Sequence, residues 1–473
     1  MTSVPADLAV GQAGRRTAEL ALLILAVLTA VLAFCAVGVA ESGSLPAGVL
    51  GYALALTAMF GAAHVVVRRV ARFADPLMLP CVALLNGLGV VLIRRLDNAS
   101  VGRVLSSGPR HARADAPLQL VWTAIGVGVF IAVLLVVRDH TRLARYTYSC
   151  AVGGLLLLML PAVPGVGATI NGARLWVHVG PMTVQPSEVA KMLLMVFFAG
   201  YLVAKRDVLA LASRRVAGLD LPRARDLGPV LVAWAGSILV LVREKDLGTS
   251  LLFFAMFIVM LYVATERTSW LLIGLALFAV SAVACYHLFA HVHSRVDVWL
   301  HPFAKASTSG YQLVQGLFGF GTGGLTGTGL GIGSPATVPF AKTDFIMATI
   351  GEELGLAGCM VVLIVFGLIV ERGLRAALSC RDSFGKLLAT GLAFSLAMQV
   401  FVIVGGVSGL IPLTGVTLPW LSYGGSSVVA NWALVAVLLR VSDAARAPAP
   451  APLAPGAVRQ ALADAPTTVV QRP

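Results

Sequence analysis

Charge is what this chain has least of. Only 12% of its 473 residues are Asp, Glu, Lys or Arg, against about 25% in soluble globular proteins. That scarcity excludes a soluble enzyme and a disordered chain. Cysteine is also sparse. The six are Cys35, Cys81, Cys150, Cys285, Cys359 and Cys380. Five lie in apolar stretches and Cys380 in a basic loop, and none pair at metal spacing. They read as small buried hydrophobes, which excludes a secreted disulfide scaffold. No basic run is interleaved with aromatics, so a nucleic-acid partner is excluded. No cleavable signal peptide is evident, because the apolar run from Ala18 is too long for a signal core.

What is present is hydrophobic sequence in long blocks. The apolar share is 58% and the mean hydropathy is +0.90. A helix needs about 20 apolar residues to cross a core of about 30 Å. That rule predicts an all-α polytopic membrane protein with about twelve spans. They fall roughly at 18–40, 47–67, 77–95, 118–137, 143–163, 187–204, 227–243, 249–264, 269–289, 352–370, 387–406 and 424–440. The net charge is +13, and its placement sets orientation, since Lys and Arg collect in cytoplasmic loops. Arg68, Arg69 and Arg72; Arg138, Arg142 and Arg145; Lys205 to Arg225; and Arg372 to Lys386 all fall on one side if both termini are cytoplasmic. The loop 96–117 is a mild exception.

The expected organisation is a cytoplasmic segment at 1–17, N-terminal spans at 18–137, a membrane core at 138–440 and a disordered cytoplasmic tail at 441–473. Three segments are then external: 164–186, 290–345 and 407–423. The middle one is longer than most connections, and such loops are usually functional or disordered.

Ionisable groups beside a membrane are functional candidates. Glu188 and Lys191 are three apart and share a helix face after Pro186 and Ser187. They read either as a structural ion pair or as a cation and carboxylate lining a cavity. Asp246 sits in a short turn and reads either as a helix cap or as a functional acid. The glycine run from Gly321 to Gly333 resembles an anion cradle, with plain flexibility as the alternative. His291, His293 and His301 lack further ligands at sensible spacing, so no metal site is expected there.

Taken in order, five segments resemble one family. They are WVHVGPMTVQPSEVAK (Trp176–Lys191), KDLGT (Lys245–Thr249), GYQLVQ (Gly310–Gln315), TDFIMATIGEELG (Thr343–Gly355) and IPLTGVTLPWLSYGGSSVVAN (Ile411–Asn431). The chain is similar to the SEDS family of shape, elongation, division and sporulation proteins, the RodA/FtsW/SpoVE group, and is nearer the RodA branch. The resemblance covers roughly residues 140–440. It implies a membrane peptidoglycan glycosyltransferase that polymerises lipid II with a class B penicillin-binding protein. The family core usually has ten spans, three of them before QPSE. Five precede it here, so two extra N-terminal helices are expected.

The resemblance implies that Arg174, Trp176, Glu188 and Lys191 line a central cavity. It implies that Asp246, Gln312, Gln315, Asp344, Glu352, Ser422 and Ser426 shape the extracellular face. No cofactor is predicted, with a divalent cation left open. Glycosyl transfer wants a base for the acceptor hydroxyl, and the family is held to use an Asp in a P-x-x-D-P pattern before Gly-Tyr-Gln. Here Lys305 stands at that position, as a substrate-facing cation, and no acid occurs between Pro302 and Gln312. A Lys with its ordinary pKa of about 10.4 is protonated at neutral pH and accepts no proton. Asp297 is the candidate base if the loop folds back. Glu244, Asp246 or Asp344 is the second option. The third is a non-catalytic scaffold that binds lipid II or its partner. Transport of the lipid-linked precursor is a further alternative, but no inverted repeat supports it.

Overall fold

The computed structural model describes residues 6–107, 114–170, 173–180, 182–211, 213–216, 219–222, 232, 235–236 and 247–448. The N-terminal helices are α1 (Ala6–Ser42), α2 (Val49–Val70), α3 (Met78–Ser107) and α4 (Ala116–Val136). A 3-10 turn (His140–Tyr146) leads into α5 (Thr147–Met159). Strands β1 (Gly167–Ile170), β2 (Ala173–Val179) and β3 (Met182–Val184) form an antiparallel sheet. Next come α6 (Pro186–Leu211) and the hairpin β4 (Ser213–Val216) to β5 (Leu219–Pro222). The rest is α7 (Leu247–Thr265), α8 (Ser269–Leu288), α9 (Ala290–Leu300), α10 (Tyr311–Gly323), α11 (Ile346–Ser379), α12 (Ser383–Val407) and α13 (Gly425–Arg446).

Among the described residues, eleven helices are long and apolar enough to cross a membrane: all of these except α9 and α10, with α5 counted together with its 3-10 turns. Most of the span expected at 227–243 lies outside the described residues, as does Asp246. The other eleven expected spans are all present, so the fold is a multi-span helical membrane protein.

Buried share decides which helices form the centre. It is 78% for the α3 span and 72% for α12 and for α13, against 11% for α8. Helix α1 shows why packing here is not hydrophobic sorting. Its inward residues (Leu23, Ala26, Ala30, Phe34, Val37) and its outward ones (Ile24, Leu25, Leu28, Leu32) are equally apolar. In lipid the difference must come from close fit. Gly87 of α3 supplies it, since a Cβ there would stand 2.7 Å from the Ala30 methyl. Trp432 of α13 locks α2, α3 and α4 together. It stacks on Phe60, meets Phe130 edge-on, and donates from Nε1 to Asn86 Oδ1 at 2.9 Å.

The segment 290–345 is a folded cap, not an open loop. It holds α9, α10 and two 3-10 turns. The glycine run within it answers a break in α11. At Gly355 the helix takes φ 69° and ψ −169°, and its hydrogen-bond ladder stops. The freed carbonyls of Glu352 and Glu353 accept from Thr328 N and Gly329 N, each at 2.9 Å. The freed N–H groups of Leu356 and Ala357 donate to Gly324 O and Leu325 O at 2.9 and 3.0 Å. The Glu352 and Glu353 carboxylates accept two more N–H groups, from Ser334 at 2.6 Å and Gly331 at 3.2 Å. The run is therefore neither slack nor an open anion cradle: these N–H groups already face α11.

One arginine joins the N-terminal helices to this cap. Arg95 of α3 donates to Glu353 at 2.9 Å, to Glu41 of α1 at 3.0 Å and to Gly333 O at 2.6 Å. Its side chain is 8% exposed and that of Glu353 is fully buried. Removing one partner of a buried pair leaves an uncompensated charge. Arg95→Met is expected to destabilise the protein by about 3–5 kcal/mol, and adding Glu353→Gln should recover most of that. Thermal unfolding of both variants in detergent checks this, and a single variant as stable as wild type would refute it.

Candidate functional site

The polar residues singled out from the sequence gather in two groups towards the end of the bundle that carries the sheet and the cap. The first is buried between α6 and α12. Pro186 starts α6, and the following turn points Glu188 and Lys191 inward. Lys191 Nζ donates to Glu188 Oε2 at 3.0 Å and to Gln399 Oε1 at 2.8 Å. Gln399 Nε2 in turn donates to Thr417 O at 2.9 Å. The pair is thus a satisfied ion pair that ties α6 to α12 and to the 411–423 segment. Gln399 was not foreseen, because its partner Lys191 is 208 residues upstream.

Arg174 and Trp176 lie on β2, which covers this end. Arg174 donates to Val163 O at 3.2 Å, and its Nε is buried without a hydrogen-bond partner. Trp176 pairs in register with Ala168 of β1 and is half-buried.

The second group surrounds a cavity of about 160 Å³ between α9, α10 and the 411–423 segment, lined among others by Arg295, Trp299, Ser309, Gln312 and Asp344. Gln312 Nε2 donates to Asp344 Oδ2 at 3.3 Å, and Thr343 Oγ1 donates to Oδ1 at 2.8 Å. Burial raises the Asp344 carboxyl above its ordinary pKa, and the two donors only partly offset it. Gln315, three residues further along α10, is half-buried and does not line this cavity.

Arg295 and Trp299 were missed, although their i, i+4 spacing on α9 carried the signal. Arg295 donates to Leu413 O and Thr414 O, both at 2.9 Å, and Trp299 Nε1 donates to Gly409 O at 2.8 Å. They fasten the cap onto the 409–414 stretch.

Asp297 faces elsewhere. Its carboxylate forms an ion pair with Lys305. The Lys305 hydrogen bond lowers the Asp297 pKa. A carboxylate held in that way is a weaker base. The two positions at which sequence reasoning looked for the base therefore neutralise each other.

The remaining candidates build the frame. Glu352 is the carboxylate that holds Ser334. Ser422 is buried, donates to Thr343 O and accepts from Leu418 N at 2.9 Å. Ser426 accepts from Gln185 N at 2.8 Å, joining α13 to the start of α6. Lys342 reaches Asp115 at 2.9 Å and also pairs with Asp97. These serines are latches between segments. Ser422→Ala and Ser426→Ala should each cost about 1–3 kcal/mol, the penalty for stranding buried partners. An unchanged unfolding temperature would contradict the latch role.

Fold and site together define a polytopic membrane protein whose polar chamber is roofed by a helical cap at one end of the bundle. The chain belongs to the FtsW/RodA/SpoVE family, whose model, described as "Cell cycle protein", matches residues 75–447. The match begins after α2 ends, so α1 and α2 occupy the place of the two extra N-terminal helices. The chain is 48% identical over 437 residues to the peptidoglycan glycosyltransferase RodA of Mycobacterium tuberculosis (strain ATCC 25618 / H37Rv), covering 92% of each chain. It is 33% identical over 376 residues to a probable peptidoglycan glycosyltransferase FtsW of Geobacter sp. (strain M18), covering 79% of this chain and 97% of that one. Among solved structures, it resembles a chain from a study of how a peptidoglycan synthase complex coordinates polymerization and crosslinking. That match has a TM-score of 0.60 and 28% identity, covering 78% of this chain and 97% of the other.

Proposed function

We propose that this chain is a peptidoglycan glycosyltransferase. It polymerises lipid II at the outer face of a bacterial cell membrane, beside a class B penicillin-binding protein and with both termini cytoplasmic. The observation that carries this reading is the cavity in which Asp344 sits with Gln312, Arg295 and Trp299. The names of the curated relatives and the synthase-complex neighbour support the activity and the partner. The basic residues at the opposite end of the bundle support the orientation.

The chemistry follows from the groups in the cavity. An acceptor sugar hydroxyl attacks the anomeric carbon of the lipid-linked donor. Its proton passes to a carboxylate as the new C–O bond forms. The bond to the pyrophosphate breaks, and nearby cations stabilise the charge that leaves. A base works best when its pKa approaches the working pH. Asp344 is raised by burial, whereas Asp297 is lowered by Lys305. Asp344 is thus the better fit to the base. Lys305, at the position where the family pattern has its acid, fits a pyrophosphate contact.

The Lys305–Asp297 pair also supports a second reading, a scaffold that binds lipid II or its partner without polymerising it. Purified protein and partner incubated with fluorescent lipid II separate the two by whether a glycan ladder forms. Asp344→Asn should cut polymer by roughly 10²-fold or more, while Asp297→Asn leaves most of it. The raised pKa has a sign. Polymerisation should fall as pH drops through it, at a pH above the roughly 4 of an ordinary Asp. Loss of the ladder in Asp297→Asn alone would overturn the Asp344 assignment. No ladder with intact lipid II binding would establish the scaffold.

A further inference from the structure

At the basic end of the bundle, away from the chamber, three unlike ligating side chains meet. His140 opens the 3-10 turn after α4, Cys380 follows α11, and Asp382 caps α12. His140 Nε2 lies 2.7 Å from Asp382 Oδ2, and Cys380 Sγ lies 3.1 Å from that same oxygen. The three ligand atoms fall within 4.8 Å of one another. The cap does not use up the carboxylate. Its Oδ1 accepts from Gly385 N at 2.6 Å, which leaves Oδ2 for the cluster.

Gly385 supplies an independent observation. A Cβ on that residue would stand 2.7 Å from Cys380 Sγ, 2.8 Å from Asp382 Oδ2 and closer still to His140 Nε2. Three donor atoms therefore converge on a point that a glycine leaves empty. Gly385 has no need of left-handed backbone, since it lies within regular helix and its φ is not positive. The space beside it, not its flexibility, is what any larger residue would remove.

We propose that His140, Cys380 and Asp382 form a three-ligand site for a thiophilic divalent cation, zinc above all, with a fourth position open to water. The donor set of one nitrogen, one thiolate and one carboxylate oxygen suits zinc and disfavours magnesium or calcium, which take oxygen ligands. On binding, the Cys380 S–H bond breaks and its proton leaves to solvent, the proton between His140 Nε2 and Asp382 Oδ2 leaves to solvent as the imidazole keeps its N–H at Nδ1, and sulfur–metal, nitrogen–metal and oxygen–metal bonds form. The ion would clamp the α4–α5 connection to the α11–α12 turn, segments 240 residues apart in the chain. Sequence spacing cannot show such a site, because no two of its ligands form a recognisable metal pair.

Tag-free full-length protein in detergent, stripped with chelator and titrated with cobalt(II), tests this directly. About one equivalent should bind and give a thiolate-to-cobalt charge-transfer absorption. Cys380→Ser should abolish that absorption. Asp382→Asn, which keeps the helix cap, should weaken binding by at least roughly tenfold. Zinc should displace the cobalt. Wild-type protein that binds no cobalt, or binds it without the thiolate absorption, overturns the proposal. That reading does not depend on whether any variant folds. The same absorption persisting in Cys380→Ser overturns it too.

Discussion

In a hydrocarbon environment, no backbone group and no charge can be left to the solvent. The structure of this protein is largely the set of answers to that constraint. Where α11 breaks at Gly355, the glycine run supplies two N–H groups and two carbonyls to the four groups the break frees. Where Glu353 is buried, Arg95 meets it. Where Lys191 is buried, Glu188 and Gln399 share its charge. Helix propensity decides little of this, because most of the spans are apolar on every side. Small residues at crossings and paired polar groups decide which face turns inward.

The same constraint builds the chamber. A cap made of short helices would shed its hydrogen bonds at each end. Here side chains fasten the cap and its neighbouring segments together: Arg295 and Trp299 hold carbonyls of the 409–414 stretch, Ser422 bridges Thr343 and Leu418, and Ser426 holds Gln185. The cap is therefore fastened over the bundle, and Asp344 is half-buried at the seam. Burial raises its pKa, and burial follows from the fastening. The chemical character proposed for Asp344 is in this sense a property of the frame around it.

Much of the fold was legible beforehand. Apolar runs of about 20 residues found every described span, because length and composition alone govern insertion. The family motifs located the relevant end. Local spacing also found the Glu188–Lys191 pair, since residues three apart on a helix must meet. The glycine run was misread as open. Its N–H groups have partners in α11, and nothing local announces a kink across the cap. Ser422 and Ser426, expected to shape the extracellular face, also tie segments of the chain to one another, through partners that lie far away in sequence.

What the sequence by itself determined is the membrane helix set, the family, and the replacement of an expected acid by Lys305. These follow from composition and from residues that lie next to each other along the chain. What only the tertiary structure decided is where each charge ends up. Asp297 is claimed by Lys305, Asp344 is left in a cavity, and His140 is brought to Cys380 and Asp382. Each of these depends on distances across the fold. The energy of a charge is set by its neighbours in space and by its exclusion from water.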